Sequence, residues 1–211
     1  MTSSKDLHNS RLNYTKSELI ETNISTNPFA QFGTWLDTAL TVMQEPNAMI
    51  LSTVASSGVP SSRVVLLKAF NANGFVFYTN YLSRKGNEIA ANNKAALLFF
   101  WDALEQQVRI EGTLEKTDAQ QSESYFLSRP YESQLSAIVS PQSQEISSRS
   151  YLEDKLEALK NTDGLKCPEN WGGYILKPTY FEFWQGRANR LHDRIVYEEL
   201  DGNWNIKRLA P

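Results

Sequence analysis

Short strand-length segments separated by tight turns follow one another after residue 47, and this pattern constrains the fold more than any other feature of the chain. Runs rich in β-branched, aromatic and alternating apolar residues predict strands at 48–55, 62–70, 75–80, 94–101, 106–115, 174–177, 179–185, 194–200 and 204–209. Asn73-Gly74 and Asp201-Gly202 predict hairpin turns. Because few helices separate the strands, the pattern predicts a mainly β fold with flanking helices (α+β). An antiparallel barrel is favoured over a doubly wound parallel sheet.

Four helices are predicted around these strands. Asn27-Pro28 has the form of a helix cap followed by proline at the first helical position, and apolar residues recur on one face as far as Met43. The other three are predicted at 83–92, 118–128 and 148–160, with Pro130 ending the third helix or starting a new one. Residues 1–27 are rich in Ser, Thr and Asn and are predicted to be a mobile segment, which leaves 28–211 as a single domain.

Composition excludes several classes of function. The formal net charge of -3 over 211 residues gives no reason to expect general binding to nucleic acid or to anionic membranes. One cysteine, Cys167, allows neither an internal disulfide nor a cysteine-based metal site, and no other metal site is predicted. The chain contains no Walker loop and no GxGxxG motif, so a nucleotide cofactor would not sit on a Rossmann crossover. The longest strongly apolar run, 95–101, is too short for a bilayer span, and a cytoplasmic location is expected.

The stretch from Phe181 to Arg194 has the strongest chemical character. Its first half alternates aromatic and polar residues as a half-buried strand does, and its second half holds three arginines, an aspartate and a histidine within eight positions. A solvated surface loop is one interpretation. The other is a strand that supplies an aromatic wall and then a cluster of cations, which suits a flat anionic ligand.

This stretch resembles the signature of the pyridoxamine 5'-phosphate oxidase family. The signature consists of an apolar residue, Glu, an aromatic residue, Trp and Gln, then four free positions and Arg-Leu-His-Asp-Arg, and residues 181–194 satisfy every fixed position. The resemblance extends from about Tyr14 to Pro211. It implies a homodimeric FMN-binding split barrel with the cofactor at the interface. The implied reaction oxidises pyridoxamine or pyridoxine 5'-phosphate to pyridoxal 5'-phosphate with O2 and produces H2O2.

The start of the second predicted helix is a candidate phosphate site. Ser83 caps this helix, and Arg84 and Lys85 follow, so unpaired backbone N–H groups lie beside two cations. The resemblance implies that this is the FMN phosphate site, and that Gln142 and Ser143 come to it from the other subunit. The further FMN contacts that it implies are Arg63, Val64, Val65, Leu66, Leu67, Lys68, Tyr78, Thr79, Gln107, Trp184 and Arg194. The family usually has Arg where this chain has Gln106, which puts a role for a cation there in doubt.

Substrate contacts are implied in three segments. Lys68, Tyr125, Arg129 and Ser133 would bind the substrate phosphate, and Arg190, Leu191 and His192 would lie over the substrate ring, with Arg190 and His192 as catalytic residues. Arg11 and Tyr14 would cover the substrate from the N-terminal segment. On an extended segment Arg190 and His192 would face the same side. Arg187 occupies a free signature position and is assigned no role.

Other interpretations of these residues remain open. Arg63 and Lys68, five apart, should point to opposite faces of a strand and could be strand-end charges that reach water. Tyr125 and Arg129, four apart on a predicted helix, could be ordinary surface packing. At the level of function, the alternatives are a split-barrel flavin reductase or oxidase for another substrate, and a non-enzymatic carrier of FMN or pyridoxal phosphate.

Overall fold

Backbone hydrogen bonding in the computed structural model forms nine strands and five α-helices among residues 6–8, 12–162 and 164–211, which are the residues that the structure describes. The strands are β1 (Ala48–Val54), β2 (Pro60–Leu66), β3 (Ala69–Asn71), β4 (Gly74–Asn80), β5 (Lys94–Trp101), β6 (Gln106–Lys116), β7 (Trp171–Gln185), β8 (Asp193–Leu200) and β9 (Asn203–Leu209). The helices are α1 (Pro28–Val42), α2 (Arg84–Ala91), α3 (Ala119–Ser128), α4 (Tyr131–Val139) and α5 (Arg149–Leu159). Arg11 lies outside the described residues.

The strands form one sheet in the order β2-β1-β5-β6-β7-β4-β3, and β8 pairs with β7 and with β9. The pairings with a defined register are antiparallel, as predicted. Both predicted hairpins are present, between β3 and β4 and between β8 and β9. Gly74 adopts a φ of +140°, and a Cβ there would lie 2.1 Å from the carbonyl oxygen of Leu176, so this turn requires glycine.

The chain divides into two compact units, whose boundaries fall within β5, β6 and β7. The first comprises the described residues up to Pro46 together with Phe100–Arg109 and Tyr180–Pro211. Its core is aromatic: Trp35 of α1 packs edge-on against Phe183 of β7 at 5.3 Å between ring centroids, and Tyr197 of β8 packs against Phe183 at 5.5 Å. Helix α1 begins as predicted, because the Asn27 side chain accepts hydrogen bonds from the backbone N–H groups of Phe29 and Ala30.

Part of the N-terminal segment, which the sequence predicts to be mobile, makes specific contacts within this first unit. The backbone N–H groups of Thr15 and Lys16 donate to the Glu105 carboxylate, and that of Leu19 donates to Asp193. Leu19 itself is buried. These contacts hold residues 15–19 against the residue before β6 and against the start of β8.

The second unit comprises Asn47–Phe99 and Ile110–Thr179. Strands β1 to β4 and most of β5 belong to it, with the later part of β6, the earlier part of β7 and helices α2 to α5. Its core is built from the inward faces of the strands and from α3, and includes Met49, Leu51, Phe75, Phe77, Leu97, Phe99, Ile110, Phe126 and Leu176.

Three predicted elements differ from the structure. The predicted strand 62–70 is two strands, because the backbone N–H groups of Leu67 and Lys68 bond to Asn47 and Val76, at the point where the chain changes partner from β1 to β4. The predicted strands 174–177 and 179–185 are one strand, β7, which continues through Pro178. A new helix, α4, begins directly after Pro130, which is one of the two alternatives predicted for this proline, but its extent to Val139 is not predicted. No helix among the described residues is long and apolar enough to cross a membrane.

Candidate functional site

A polar cavity of about 610 Å³ in the second unit gathers many of the predicted site residues. Strands β2 and β4, helices α2, α3 and α4 and the segment after α4 all contribute to its wall. The predicted residues that line it are Val64, Val65, Leu66, Lys68, Tyr78, Thr79, Lys85, Tyr125, Arg129, Ser133 and Gln142. Residues that are distant in sequence, with two lysines and an arginine among them, therefore surround one space large enough for a small anionic molecule.

An aromatic stack forms one wall of this cavity and supports Arg129. The rings of Tyr78 and Tyr125 are stacked at 3.9 Å between centroids, and Trp171 is nearly parallel to Tyr78 at 5.5 Å. The Arg129 guanidinium lies over the Trp171 ring, 4.9 Å from its centroid. Burial lowers the pKa of Arg129, and Nη1 of this residue is buried with no hydrogen-bond partner among the described residues. A buried guanidinium N–H without a partner is costly, and an anion in the cavity would satisfy it.

A second cationic point lies at the start of α2. Lys85 Nζ donates to Gln142 Oε1 at 2.9 Å and to Thr79 Oγ1 at 3.2 Å. Burial, and then the nearby positive charge of Arg63, lowers the pKa of Lys85. Ser83 caps the helix as predicted by accepting from Gly86 N. A Cβ on Gly86 would lie 2.1 Å from the Tyr81 carbonyl oxygen, so glycine allows the helix start to pack directly on the preceding loop.

Arg63 and Arg84 meet at a buried carboxylate, Glu88. Arg63 Nη2 donates to Glu88 Oε2 at 3.0 Å, and Arg84 Nε donates to Glu88 Oε1 at 2.9 Å. The hydroxyls of Thr53 and Ser61 also donate to Oε2. Burial by itself raises the pKa of Glu88, but these four hydrogen bonds outweigh it and lower the pKa to about 2. The carboxylate is therefore ionised at neutral pH.

Part of the signature lines a cavity of about 630 Å³ in the first unit. Arg190, His192 and Tyr14 are among the residues that line it. The His192 ring packs against Trp184 at 4.7 Å and against Tyr14 at 5.8 Å between centroids. His192 Nδ1 accepts from the backbone N–H of Arg187, which leaves Nε2 as the donor of a neutral ring. Arg190 ends a short 3-10 helix at a φ of +63°, so the predicted extended geometry for this pair is wrong, although both residues face one cavity.

Arg194 is held firmly in the first unit. Its Nε and Nη2 bond to the two oxygens of buried Glu182 at 2.8 and 3.1 Å, and its Nη1 donates to the carbonyl oxygen of Ala210. Arg109 and Tyr180 also bond to Glu182. Burial alone would raise the pKa of Glu182, but the interactions with Arg194 and Arg109 outweigh burial. The pKa of Glu182 is therefore lowered. Arg194 is thus fixed before any ligand binds.

Several predicted residues lie apart from both cavities. Leu67 is a buried core residue whose N–H bonds to Asn47, so its side chain faces the interior. Arg84 and Ser143 line a further depression of the second unit. Gln107 is half-buried on β6, and Leu191 is exposed beside the short 3-10 helix.

Comparison with known proteins identifies the family. The model for the pyridoxamine 5'-phosphate oxidase family matches residues 36–163, and a second model, for the pyridoxine 5'-phosphate oxidase C-terminal dimerisation region, matches residues 171–211. The chain belongs to the pyridoxamine 5'-phosphate oxidase family. The expected enzyme class, the FMN cofactor and the homodimer are thereby confirmed.

Curated members of the oxidase family resemble the chain over nearly its whole length. Pyridoxine/pyridoxamine 5'-phosphate oxidase 1 of Hydrogenovibrio crunogenus is 53% identical over 213 residues and covers 98% of this chain and 99% of that protein. The enzyme of Actinobacillus pleuropneumoniae is 52% identical over 209 residues, with 98% and 100% covered. The chain is therefore similar to these relatives over nearly its whole length.

Solved structures confirm the split-barrel fold. The crystal structure of PhzG from Burkholderia lata, in complex with tetrahydrophenazine-1-carboxylic acid, has a TM-score of 0.87 and 30% identity and covers 92% of this chain and 98% of that one. A pyridoxamine 5'-phosphate oxidase-related, FMN-binding protein from Nostoc punctiforme shares the fold at a TM-score of 0.72 and 18% identity, covering 89% of this chain and 100% of that one.

Sequence reasoning missed two side chains that organise this oxidase-family site. The Trp171 ring packs against the Arg129 guanidinium. In the sequence, nothing distinguishes this tryptophan from the other four in the chain. Glu88 lies four residues after Arg84, and the spacing of oppositely charged residues on one helix face could have revealed it. The cavity lining also includes Asn80, Pro130, Ser136, Ala137 and Ser140.

Proposed function

We propose that this chain is an FMN-dependent oxidase that converts pyridoxamine 5'-phosphate and pyridoxine 5'-phosphate to pyridoxal 5'-phosphate, with O2 as the electron acceptor and H2O2 as the second product. The observation that carries the proposal is the Arg129 guanidinium, whose buried Nη1 has no hydrogen-bond partner among the described residues and which lines one cavity with Lys68, Tyr125 and Ser133. Two cations and two hydroxyls match a phosphate monoester in charge and in hydrogen-bonding capacity.

The residues at the start of α2 fit the phosphate group of FMN. Lys85, Thr79 and Gln142 form a hydrogen-bonded cluster, and the helix begins beside it with its first N–H groups directed outward. We assign the FMN phosphate to this cluster, with Arg63, Arg84 and Ser143 nearby. The remaining contacts assigned to FMN are the segment Val64–Lys68, Tyr78, Gln107, Trp184 and Arg194.

FMN would supply the redox chemistry when bound, namely acceptance of a hydride from the substrate's C4' carbon and transfer of two electrons to O2. The protein's own side chains bind and orient the substrate. We assign its phosphate to Lys68, Tyr125, Arg129 and Ser133, and its ring to Arg190, Leu191, His192 and Tyr14. Arg11, which the family resemblance also assigns to the substrate, lies outside the described residues. His192 offers Nε2–H as a fixed donor because Arg187 N occupies Nδ1. With the amine substrate, water then hydrolyses the imine product to the aldehyde and ammonia.

A second candidate function is oxidation of another flat substrate, which the likeness to the tetrahydrophenazine-1-carboxylic acid complex of PhzG supports. A substrate without phosphate would leave Arg129 Nη1 without its anion. The two candidates therefore differ in whether activity depends on the substrate's phosphate group.

The test is to incubate the purified holoprotein with pyridoxamine 5'-phosphate, pyridoxine 5'-phosphate and unphosphorylated pyridoxamine, while pyridoxal phosphate and H2O2 are measured. Rapid turnover of the phosphorylated substrates alone supports the proposal. A protein that binds FMN but turns over none of them is a carrier or acts on another substrate, and a colourless protein that does not respond to added FMN contradicts the whole assignment. We also propose a cytoplasmic location, which suits a chain with one unpaired cysteine, and cell fractionation tests it.

A further inference from the structure

The Glu88 network joins β1, β2 and α2 through one carboxylate. Glu88 is 6% exposed, and its two oxygens receive four hydrogen bonds, from Thr53, Ser61, Arg63 and Arg84. A single salt bridge for stabilising a helix would not need this number of partners. The network is therefore more than an i,i+4 pair on the surface of α2.

The network determines which N–H groups of each arginine remain available. Arg63 uses both terminal nitrogens within the protein: Nη1 donates to Leu51 O and Thr53 Oγ1, and Nη2 donates to Ser61 Oγ and Glu88 Oε2. Arg84 bonds to Glu88 only through Nε, so its two Nη groups make no hydrogen bond to any other described residue. The Arg84 guanidinium is thus anchored through Nε, while its two Nη groups remain available to a ligand.

Position and charge both relate this network to the start of α2. Arg84 is the first residue of α2, Lys85 is the second, and Lys85 lines the large cavity. Arg63 is close enough to lower the pKa of Lys85 by its positive charge. Three cations and one carboxylate leave a net charge of about +2, which balances a phosphate monoester of about −1.5 to −2.

We infer that Glu88 is a positioning residue for the flavin phosphate: it holds Arg84 in the orientation that the phosphate requires and fixes Arg63 as a nearby positive charge, without touching the cofactor itself. This inference rests on the proposed function, because it takes the start of α2 as the FMN phosphate site. Guanidinium groups bind phosphate well only when their N–H groups are pre-oriented, since the entropy of ordering the long side chain is otherwise lost on binding.

The test replaces Glu88 by Gln and compares the affinity of the apoprotein for FMN and for riboflavin, which lacks the phosphate. In Glu88→Gln the new amide N–H faces the Arg84 Nε–H, so the hydrogen bond between residues 84 and 88 is lost. The Arg84 guanidinium is then no longer held in one orientation. Positioning predicts that FMN affinity falls about tenfold, the loss expected for one charge-assisted hydrogen bond, while riboflavin affinity is unchanged. If Glu88 acted only through its negative charge, its removal would strengthen FMN binding, and that result would overturn the inference.

Matched variants separate positioning from charge and from folding. Arg149 and Glu153 on α5 form an exposed pair between the same atoms, Nε and Oε1, so Glu153→Gln removes an equal charge and should leave both affinities unchanged. Glu88→Asp keeps the charge and should restore part of the FMN affinity. If Glu88→Gln does not fold, Ser61→Ala removes one bridge between Arg63 and Glu88 and should give a smaller loss confined to FMN.

A double variant tests whether Glu88 acts through Arg84. If it does, Glu88→Gln added to Arg84→Ala should reduce FMN affinity by much less than it does in the wild type. Full additivity, or an equal loss for riboflavin and FMN, would refute positioning and leave a structural role. A wild-type protein with no preference for FMN over riboflavin would instead contradict the proposed phosphate site, and with it the premise of the inference.

Discussion

Trp184 and Arg194 are direct partners across β7 and β8, so the aromatic and the cationic halves of the signature meet as neighbours in one strand pair. Glu182, two residues before Trp184, holds Arg194 through both of its oxygens. The signature is thus a folded unit in which a buried carboxylate orders the arginine beside the tryptophan. Glu182 therefore has a structural role in the signature, because its carboxylate fixes Arg194 next to Trp184.

Replacing Glu182 by Gln should destabilise the protein by about 3 kcal/mol, since removing one member of a buried ion pair leaves its partner charge uncompensated. Urea unfolding at a fixed protein concentration measures this change. Glu198 on β8 pairs with Lys207 at a more exposed position, and Glu198→Gln should cost less than about 1 kcal/mol. Equal losses of unfolding free energy for the two substitutions would show that burial of the Glu182 pair adds nothing to stability.

The Glu88 network should make stability depend on pH. The pKa of Glu88, about 2, lies below the ordinary carboxyl value of 4.5. The stability that the ionised Glu88 carboxylate contributes is therefore complete above pH 4.5 and is lost as the pH falls towards 2. Between about pH 5 and about pH 3, the free energy of unfolding of the wild type should therefore fall more than that of Glu88→Gln. Parallel curves for the two proteins would contradict the lowered pKa.

Arg129→Ala should raise the KM for pyridoxamine 5'-phosphate by roughly 10- to 100-fold, because a charge-assisted hydrogen bond to the phosphate is lost, and should change kcat little. Steady-state kinetics measure both constants. Arg149→Ala removes an exposed arginine of α5 and serves as the control. The KM for unphosphorylated pyridoxamine should be the same in Arg129→Ala as in the wild type. A KM for the phosphorylated substrate that stays at the wild-type value would remove Arg129 from the phosphate site.

Local signals predicted the parts of the fold that depend on neighbours in sequence. The Asn27 and Ser83 caps and the hairpin at Asp201-Gly202 follow from the chemistry of a few adjacent residues, and all three are present. Pro130 indicated a possible start for helix α4, but the helix has only two buried apolar residues, Leu135 and Val139, so its periodicity is too weak to predict its extent. The break between β2 and β3 depends on backbone bonds to Asn47 and Val76, which no local pattern encodes.

The candidate site could be predicted as a set of residues but not as an arrangement. The family resemblance indicated Arg129, Lys85 and Arg194 by position. Their supports were not visible, because Trp171 lies 42 residues beyond Arg129, and Glu88 and Arg63 are separated by 25. Such pairs form only when the sheet brings distant segments together. Side-chain orientation in this protein is therefore a property of the tertiary fold.

Arg190 offers the most direct test of the signature's chemical role. It lines the cavity of the first unit with Tyr14 and His192, and its backbone is held at a φ of +63°, a conformation that costs a non-glycine residue free energy. Such strain is retained when the side chain must point in a particular direction. Arg190→Ala keeps the Cβ and the backbone conformation but removes the cation.

We expect Arg190→Ala to slow the reduction of bound FMN by pyridoxamine 5'-phosphate about a hundredfold in anaerobic single turnover, as loss of a pre-oriented electrostatic group does in other enzymes. Stopped-flow absorbance follows the reduction directly and separates it from substrate binding and from reoxidation. The control is Lys207→Ala, which removes an exposed cation of β9. Because the Arg190 side chain makes no hydrogen bond to another described residue, the substitution should leave the unfolding midpoint unchanged. A wild-type reduction rate in Arg190→Ala would exclude this arginine from the hydride-transfer step.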